Sequence, residues 1–421
     1  MAKNKLISAI DIGSSKIVAL VAQSRDEDNS KLHIVGAASV PSRGVRKGQI
    51  VNIEEAVSAI EEAVEAAERM AGFNIPSAWV SVGGSHISSQ NSHGVVAVSQ
   101  PQGEINADDV RRVLEAARAV SLPTSSEILH VIPRTYTVDN QEGVKDPVGM
   151  TGVRLEVDTH IVVGSSPVIK NLTKCVGEVG CDISGLVFSG LAASEAILSP
   201  TEKELGVVLV DIGGGTMSVA IYVEGALSYS SVLQVGAINV TKDLAAGLRV
   251  SLESAEKIKI FLAQAKSKED DVDVTSLHLP EEMKTVSAKT LSEGIIKPRL
   301  NEMFQMIAGE IKKSGFGGLT PSGIVLCGGG ASTIGIGEAA KRNLSLPVRI
   351  GIPTNISGLV DDIQNPGFAA SIGLLRYAKN LLDEPGVTKT YSSSASTPVF
   401  DKFKIIGIIG KATGWIKSLL P

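Results

Sequence analysis

Two stretches decide the fold: Leu6-Ile-Ser-Ala-Ile-Asp11-Ile-Gly-Ser-Ser-Lys16 and Val207-Val-Leu-Val-Asp211-Ile-Gly-Gly-Gly-Thr216. In each, an apolar run ends in an acid, a tight turn follows, and a second apolar run returns. Short apolar runs bounded by glycine read as buried strands. Asp-Ile-Gly recurs at positions 11 and 211, and such self-similarity reads as two halves of one plan facing each other across a cleft. A single copy would be read as an ordinary strand-end turn; two copies make that reading untenable.

The chemistry of these turns points to phosphate. Asp11 and Asp211 stand at strand ends, where two carboxylates suit a hydrated Mg²⁺, an ion that takes carboxylates, waters and phosphate oxygens. Gly13, Ser14 and Ser15, and Gly213, Gly214, Gly215 and Thr216, can turn successive N–H groups toward phosphates. Lys16 adds a positive charge, and the hydroxyls of Ser14, Ser15 and Thr216 add donors. A third cluster, Gly328-Gly329-Gly330-Ala331-Ser332, follows an apolar strand at 323–327. Backbone without side chains there lets a flat nucleoside approach closely. No Walker sequence occurs, and no Gly-x-Gly-x-x-Gly follows the first strand, which argues against P-loop and dinucleotide folds.

Composition narrows the class. With 421 residues, 43% hydrophobic and 20% charged, the chain is long enough for two to four domains and has an ordinary core-forming balance. The net charge of −5 provides no global field for nucleic acid, and 4% aromatics offer few stacking platforms. Cys175, Cys181 and Cys327 form no CxxC pair, so a disulfide framework is not expected. The start, Met-Ala-Lys-Asn-Lys, does not read as a signal peptide, and no run of 18 apolar residues is present.

Apolar spacing predicts a helix over 53–71, with Asn52 as N-cap and Gly72 past its end. The texture changes over 84–164 to strands rich in Ser, Val and Thr around one helix at 107–119, which reads as a small α+β insert. Pro167 suits a first helical position. Helices are expected at 252–265 and 298–313, with a charged and less regular region at 267–293. Polar, Pro- and Ser-rich sequence follows Tyr377, and 383–403 reads as a flexible linker.

These motifs occur in the order found in the actin, heat-shock-chaperone and sugar-kinase superfamily. Within it, the chain resembles the FtsA family of bacterial cell-division proteins. The resembling stretches are Pro41-Ser-Arg-Gly, Gly83-Gly-Ser-His-Ile-Ser-Ser-Gln-Asn91, His130-Val-Ile-Pro133, Gln141-Glu-Gly-Val-Lys-Asp-Pro-Val-Gly149, Val210-Asp-Ile-Gly-Gly-Gly-Thr216 and Val348-Arg-Ile-Gly351. The resemblance implies an α/β, actin-like two-lobed fold with duplicated ribonuclease-H-like cores and ATP with Mg²⁺ between them. The first lobe would comprise 1–83, with 165–198 and about 355–382 returning to it. The family's own insert would be 84–164. The second lobe would be 199–354, with 236–310 as its outer subdomain.

Further expectations follow from that resemblance. Glu256 and Lys259, one turn apart on a helix, match the spacing of residues that touch ribose and adenine in related folds; a solvated i, i+3 pair is the plainer reading. Related ATPases place Glu or Gln where this chain has Ser189, in Phe188-Ser189-Gly190, and a neutral hydroxyl is a poor general base. At most slow ATP hydrolysis is expected. The family meets the tubulin-like FtsZ through the lobe holding 236–310; Arg299 resembles a position on that surface, though it also reads as a solvated charge. Self-association into filaments and docking of downstream division proteins on the insert are implied as well. So is a peripheral location on the cytoplasmic face of the membrane, at the septal ring. The alternatives are the related actin-like adaptor of type IV pili and a small-molecule kinase of the same superfamily.

The C-terminus carries a separate signal. Wound at about 100° per residue, Ile405, Ile408, Ile409, Ala412, Trp415, Ile416, Leu419 and Leu420 fall on one side. Lys404, Lys411 and Lys417 mark the margins. This is the pattern of an amphipathic helix over 404–421 lying in an anionic membrane interface, with a terminal helix packed on the protein's own core as the alternative. The six histidines show no ligand spacing, and His86 and His93 read as ordinary hydrogen-bonding residues.

Overall fold

A computed structural model describes residues 5–24, 31–99, 103–264, 271–281 and 283–383. The expected linker beyond Asp383 and the expected amphipathic helix at 404–421 lie outside the described residues.

Each acid motif builds a β-hairpin at the centre of its own sheet. The first sheet has the strand order Asp182–Phe188, Ser77–Val82, Lys5–Ile12, Lys16–Ser24, Leu32–Pro41, Ile356–Gly358. The second has the order Val348–Ile350, Ile324–Cys327, Val207–Ile212, Met217–Val223, Ala226–Leu233. In both, three consecutive strands form an antiparallel meander, and the acid-bearing strand pairs on its other side with a parallel strand. A further parallel strand completes the pattern. This is the ribonuclease-H-like arrangement, present twice, and it makes the fold actin-like. The central strands are apolar on both faces because helices cover both faces: Ile17 to Ala22 and Val207 to Val210 are all buried.

Local signals explain the flanking helices. Helix Ile53–Ala71 begins where the Asn52 side chain accepts the Glu55 N–H at 3.3 Å and ends at left-handed Gly72. Its buried stripe of Ala56, Ala59, Ile60, Ala63, Val64 and Ala67 faces the first sheet. Helix Ala107–Arg118 starts with a capping box formed by Asn106 and Asp109. Helix Ala369–Asp383 continues past Tyr377, where the composition turns polar, because Leu381 and Leu382 pack against the core. A π-helical turn over Thr290–Ile296 leads into helix Lys297–Ser314.

A four-stranded antiparallel sheet, in the order Ser88–Ala97, Arg154–Ser165, Ser126–Val138, Gln141–Val144, forms a separate layer with helix Ala107–Arg118. It has its own core around Val113, Leu114, Leu155 and Val157. It also grips both halves of the molecule. His130 Nε2 accepts the Phe188 N–H at 3.0 Å, at the end of a first-sheet strand. On the other side, His160 Nε2 lies 2.9 Å from Ser230 Oγ, and Ser89 Oγ donates to the Ser230 carbonyl at 2.6 Å.

Candidate functional site: a cleft between duplicated acid hairpins

The two hairpins share one register. Asp11 pairs with Val18 and Ile12 with Ile17; Asp211 pairs with Ser218 and Ile212 with Met217. Each turn closes on the same bond, Gly13 N–H to the Lys16 carbonyl at 3.1 Å and Gly213 N–H to the Thr216 carbonyl at 2.9 Å. The turns meet tip to tip. A Cβ on Gly214 would lie 2.9 Å from Ser15 Cβ, and one on Gly215 would lie 3.0 Å from Ser14 Oγ. Glycine therefore lets the two halves approach at backbone distance.

The charged groups converge behind these turns. Ser81 Oγ donates to Asp11 Oδ1 at 2.6 Å and accepts the Ile12 N–H at 3.2 Å. Burial raises the pKa of Asp11 above the usual carboxylate range, with Ser81 and Lys16 opposing the shift. Burial also raises Asp211, to about 7, reinforced by the negative charge of Asp11 and opposed by Lys16. Lys16 is itself lowered by burial, against the pull of both aspartates. Its ammonium lies 3.4 Å from the centre of the Phe368 ring, a cation–π contact. Two close carboxylates with one half-buried cation leave net negative charge in a partly shielded place, a site that gains from a further cation. The donor set is all oxygen, which suits Mg²⁺. Among the described residues no group of three His, Cys, Asp or Glu could hold a metal, so these two acids would supply a minority of its ligands.

The third cluster closes the cleft. Gly328 has φ +80°, and a Cβ there would lie 2.3 Å from Asp211 Oδ1. Its N–H donates to the Pro366 carbonyl at 2.9 Å, which brings the Pro366–Phe368 turn beside Gly329–Ser332. Gly330 and Ala331 are buried, whereas Gly329 and Ser332 are exposed. On the other flank, the N–H groups of Ala237 and Ile238 donate to the carbonyls of Gly213 and Gly214, both at 2.9 Å. This fixes the start of helix Ile238–Leu248 on the second turn. Thr241 of that helix joins Glu256 and Lys259: Lys259 Nζ donates to Glu256 Oε2 at 2.7 Å and to Thr241 Oγ1 at 2.9 Å. Thr241 Oγ1 also donates to Glu256 Oε2. Glu256 and Lys259 thus form a network tied to the second turn by one helix, and Lys259 is buried rather than solvated.

Two other residues differ from their sequence reading or add to it. Arg299 is not a free surface charge: Asp243 holds its guanidinium through Nε at 2.6 Å and Nη2 at 2.9 Å, and Glu302 takes Nη1. The spacing of Asp243 on another helix gave no warning of this. Ser189 opens helix Ser189–Ile197 with its hydroxyl 3.2 Å from Ser218 Oγ, so two hydroxyls face each other. The residues expected to meet a membrane, Lys404, Ile405, Ile408, Ile409, Lys411, Trp415, Ile416, Lys417 and Leu419, lie outside the described residues. Sequence reasoning missed Ser81 and Phe368. Ser81 had a findable signal, since it lies near the end of an apolar strand two residues before Gly83-Gly84, as Cys327 ends the strand before Gly328.

Comparisons with known proteins agree with this fold. The family described as "SHS2 domain inserted in FTSA" matches residues 84–163, and "Cell division protein FtsA" matches residues 208–373. Cell division protein FtsA of Pseudomonas aeruginosa is 39% identical over 412 residues, covering 95% of this chain and 97% of its own. That of Bacillus subtilis is 38% identical over 381 residues, with coverages of 90% and 84%. That of Escherichia coli strain K12 is 36% identical over 406 residues, with coverages of 93% and 95%. A solved PilM-PilN type IV pilus biogenesis complex shares the fold at a TM-score of 0.64 and 15% identity, covering 89% of this chain and 98% of that one. MreB5 of Spiroplasma citri bound to ADP shares it at 0.51 and 14%, covering 90% and 99%. The structural likeness is one of fold, whereas the sequence kinship lies with cell division and not with pili or kinases. Similar to these relatives along nearly its whole length, the chain belongs to the FtsA family of actin-like cell-division adaptors.

Proposed function

We propose that this cell-division adaptor uses ATP with Mg²⁺ to set the angle between its two lobes, and tethers FtsZ filaments to the membrane at the septal ring. The observation that carries the reading is the meeting of Asp11, Lys16 and Asp211 behind two backbone turns that touch through glycine. The turns would hold the phosphates by N–H groups and the Ser14, Ser15 and Thr216 hydroxyls, with Lys16 as a half-buried counter-charge. Asp11 and Asp211 would orient the water shell of Mg²⁺, and the ion would neutralise phosphate charge. Gly328 to Ser332 would lie against the nucleoside, with Glu256 and Lys259 on its far flank. Ser189 and Ser218 offer no general base, so ATP serves as a conformational ligand that turns over slowly.

Because the lobes touch through the turns, a ligand seated between them changes lobe angle by its differential contacts. Lobe angle then biases head-to-tail assembly, a heterologous contact that gives open filaments. The second lobe around 236–310 would receive FtsZ, the insert would receive downstream division proteins, and residues 404–421 would lie in an anionic leaflet. Two-dimensional attachment turns individually weak contacts into a stable ring.

Sedimentation of the full chain with anionic vesicles tests this. Wild type should pellet with vesicles, recruit FtsZ polymers, and respond to Mg·ATP. Trp415→Glu should stay in the supernatant. Asp211→Asn should pellet normally and lose the ATP response. An ATP response that survives Asp211→Asn would refute the cleft reading, and unchanged pelleting of Trp415→Glu would refute the membrane reading.

A further inference from the structure

Beside the first phosphate turn lies a small hairpin that the two-turn reading does not use. Val45–Arg46 pairs with Gln49–Ile50, with Val45 opposite Ile50 and Arg46 opposite Gln49. Only Lys47 and Gly48 connect them, with φ +51° and +72°. Positive φ at both central residues makes this a type I′ turn, whose first position favours Asn, Asp or Gly. A lysine held in the left-handed region is strained, and strain of this kind gathers at functional sites.

The hairpin is lodged against both phosphate turns. Gly48 N–H donates to Ser14 Oγ at 2.8 Å, and Ser42 N–H donates to the Ser15 carbonyl at 3.1 Å. From the other half, a Cβ on Gly215 would lie 3.2 Å from both Lys47 N and Lys47 Cα. The Lys47 backbone therefore sits where the two turns meet. Because Ser14 Oγ already accepts a hydrogen bond from Gly48, its own O–H remains to donate. The Ser42 hydroxyl oxygen is buried with no hydrogen-bond partner in the described structure, an unusual state for a polar atom. Arg43 is tied to Glu62 at 2.8 Å, while Lys47 is exposed.

We propose that the Val45–Ile50 hairpin is a third phosphate-binding element, in which Gly48 aims the Ser14 hydroxyl as a donor and Lys47 brings its ammonium to the terminal phosphate of a nucleoside triphosphate. This rests on the nucleotide reading of the cleft. The strained turn places a flexible cation at the junction of the two turns, beside phosphate held by either. Discrimination between triphosphate and diphosphate follows, since only the longer chain extends to that junction.

Calorimetric titration of the full chain with Mg·ATP and Mg·ADP tests the proposal on wild type, Lys47→Asn and Lys47→Arg, with thermal denaturation in parallel. Asn suits the left-handed position, so Lys47→Asn should melt no lower than wild type without nucleotide. Its ATP affinity should fall about tenfold, the loss of one charge-assisted contact. ADP affinity should change by less than threefold, and Lys47→Arg should restore most of the ATP affinity. Equal ATP affinity in Lys47→Asn and wild type would overturn the proposal. So would a parallel loss of ATP and ADP binding with a lower melting temperature, which is the signature of a turn that only shapes the loop. Wild type that binds neither nucleotide would refute the cleft reading itself, and this inference with it.

Discussion

Asp11 and Asp211 occupy the same step of two hairpins with one register, yet the residue beside each on the neighbouring parallel strand differs. Asp211 pairs with Cys327, a buried thiol whose pKa is raised by burial and then by Asp211. Asp11 lies one step beyond the Ile10–Val80 pair, next to Ser81, whose hydroxyl donates to it at 2.6 Å. A hydroxyl is a good donor to a carboxylate and a thiol a poor one. The Ser81 hydroxyl therefore opposes the burial that raises Asp11, whereas Asp211, opposed by Lys16, is raised to about 7. Duplication supplied equal backbones; side chains from the adjacent strands made the copies unequal.

The largest effect that could break this comparison is steric. Gly328→Ala would set a methyl against Asp211 Oδ1 and, at 2.5 Å, the Ile212 carbonyl, at φ +80°. A loss of about 3 kcal/mol or more is expected in urea denaturation. In the first half Val82 stands at the step of Gly328, and the glycine pair begins one residue later at Gly83, where a Cβ meets only Ser189, with Oγ at 3.0 Å. Gly83→Ala should cost under about 1 kcal/mol. Equal losses would show that the two clusters do the same job.

A middle-sized test exchanges the neighbours. Ser81→Ala strips Asp11 of its donor and should destabilise the chain by roughly 1–3 kcal/mol. Cys327→Ser gives Asp211 the donor it lacks, and should lower its titration midpoint below about 7 in carboxyl NMR without loss of stability. An unmoved Asp211 midpoint would mean that burial alone, not the neighbour, separates the two acids.

The smallest effect near neutral pH concerns how the insert holds the two halves. Burial lowers His130 to about 4; burial and the Arg134 charge lower His160 to about 3. Both bind fewer protons folded than unfolded between 6.5 and those values. Their contribution is complete above 6.5 and is lost as pH falls through the window, by under about 1 kcal/mol each at pH 6 and about 1.4 kcal/mol per further pH unit. His130→Gln and His160→Gln should each flatten the fall in melting temperature between pH 6 and 4. A slope unchanged in both variants would take the histidines out of this role.

Much of this was legible beforehand where the cause is local. The strands before Asp11 and Asp211, the Asn52-capped helix and the glycine turns follow from periodicity and capping, which act over a few residues. What was not legible depends on distant segments. Ser81 lies 70 residues from Asp11, and His130 lies 58 from Phe188. The sequence turns polar after Tyr377, and the helix still runs on to Asp383 because Leu381 and Leu382 find the core. Arg299 read as a partner-facing position or a solvated charge, and the sequence did not show that Asp243, from another helix, pairs with it.

By itself the sequence determined a duplicated α/β plan, the two acids, and glycine at the turns, because hydrophobic period and backbone freedom are properties of short stretches. Only the tertiary structure decided which acid has a hydroxyl donor, where Lys16 sits, and that a strained lysine hairpin stands at the junction. Those outcomes depend on burial and on fields summed over groups far apart in the chain, and no local pattern encodes such a sum.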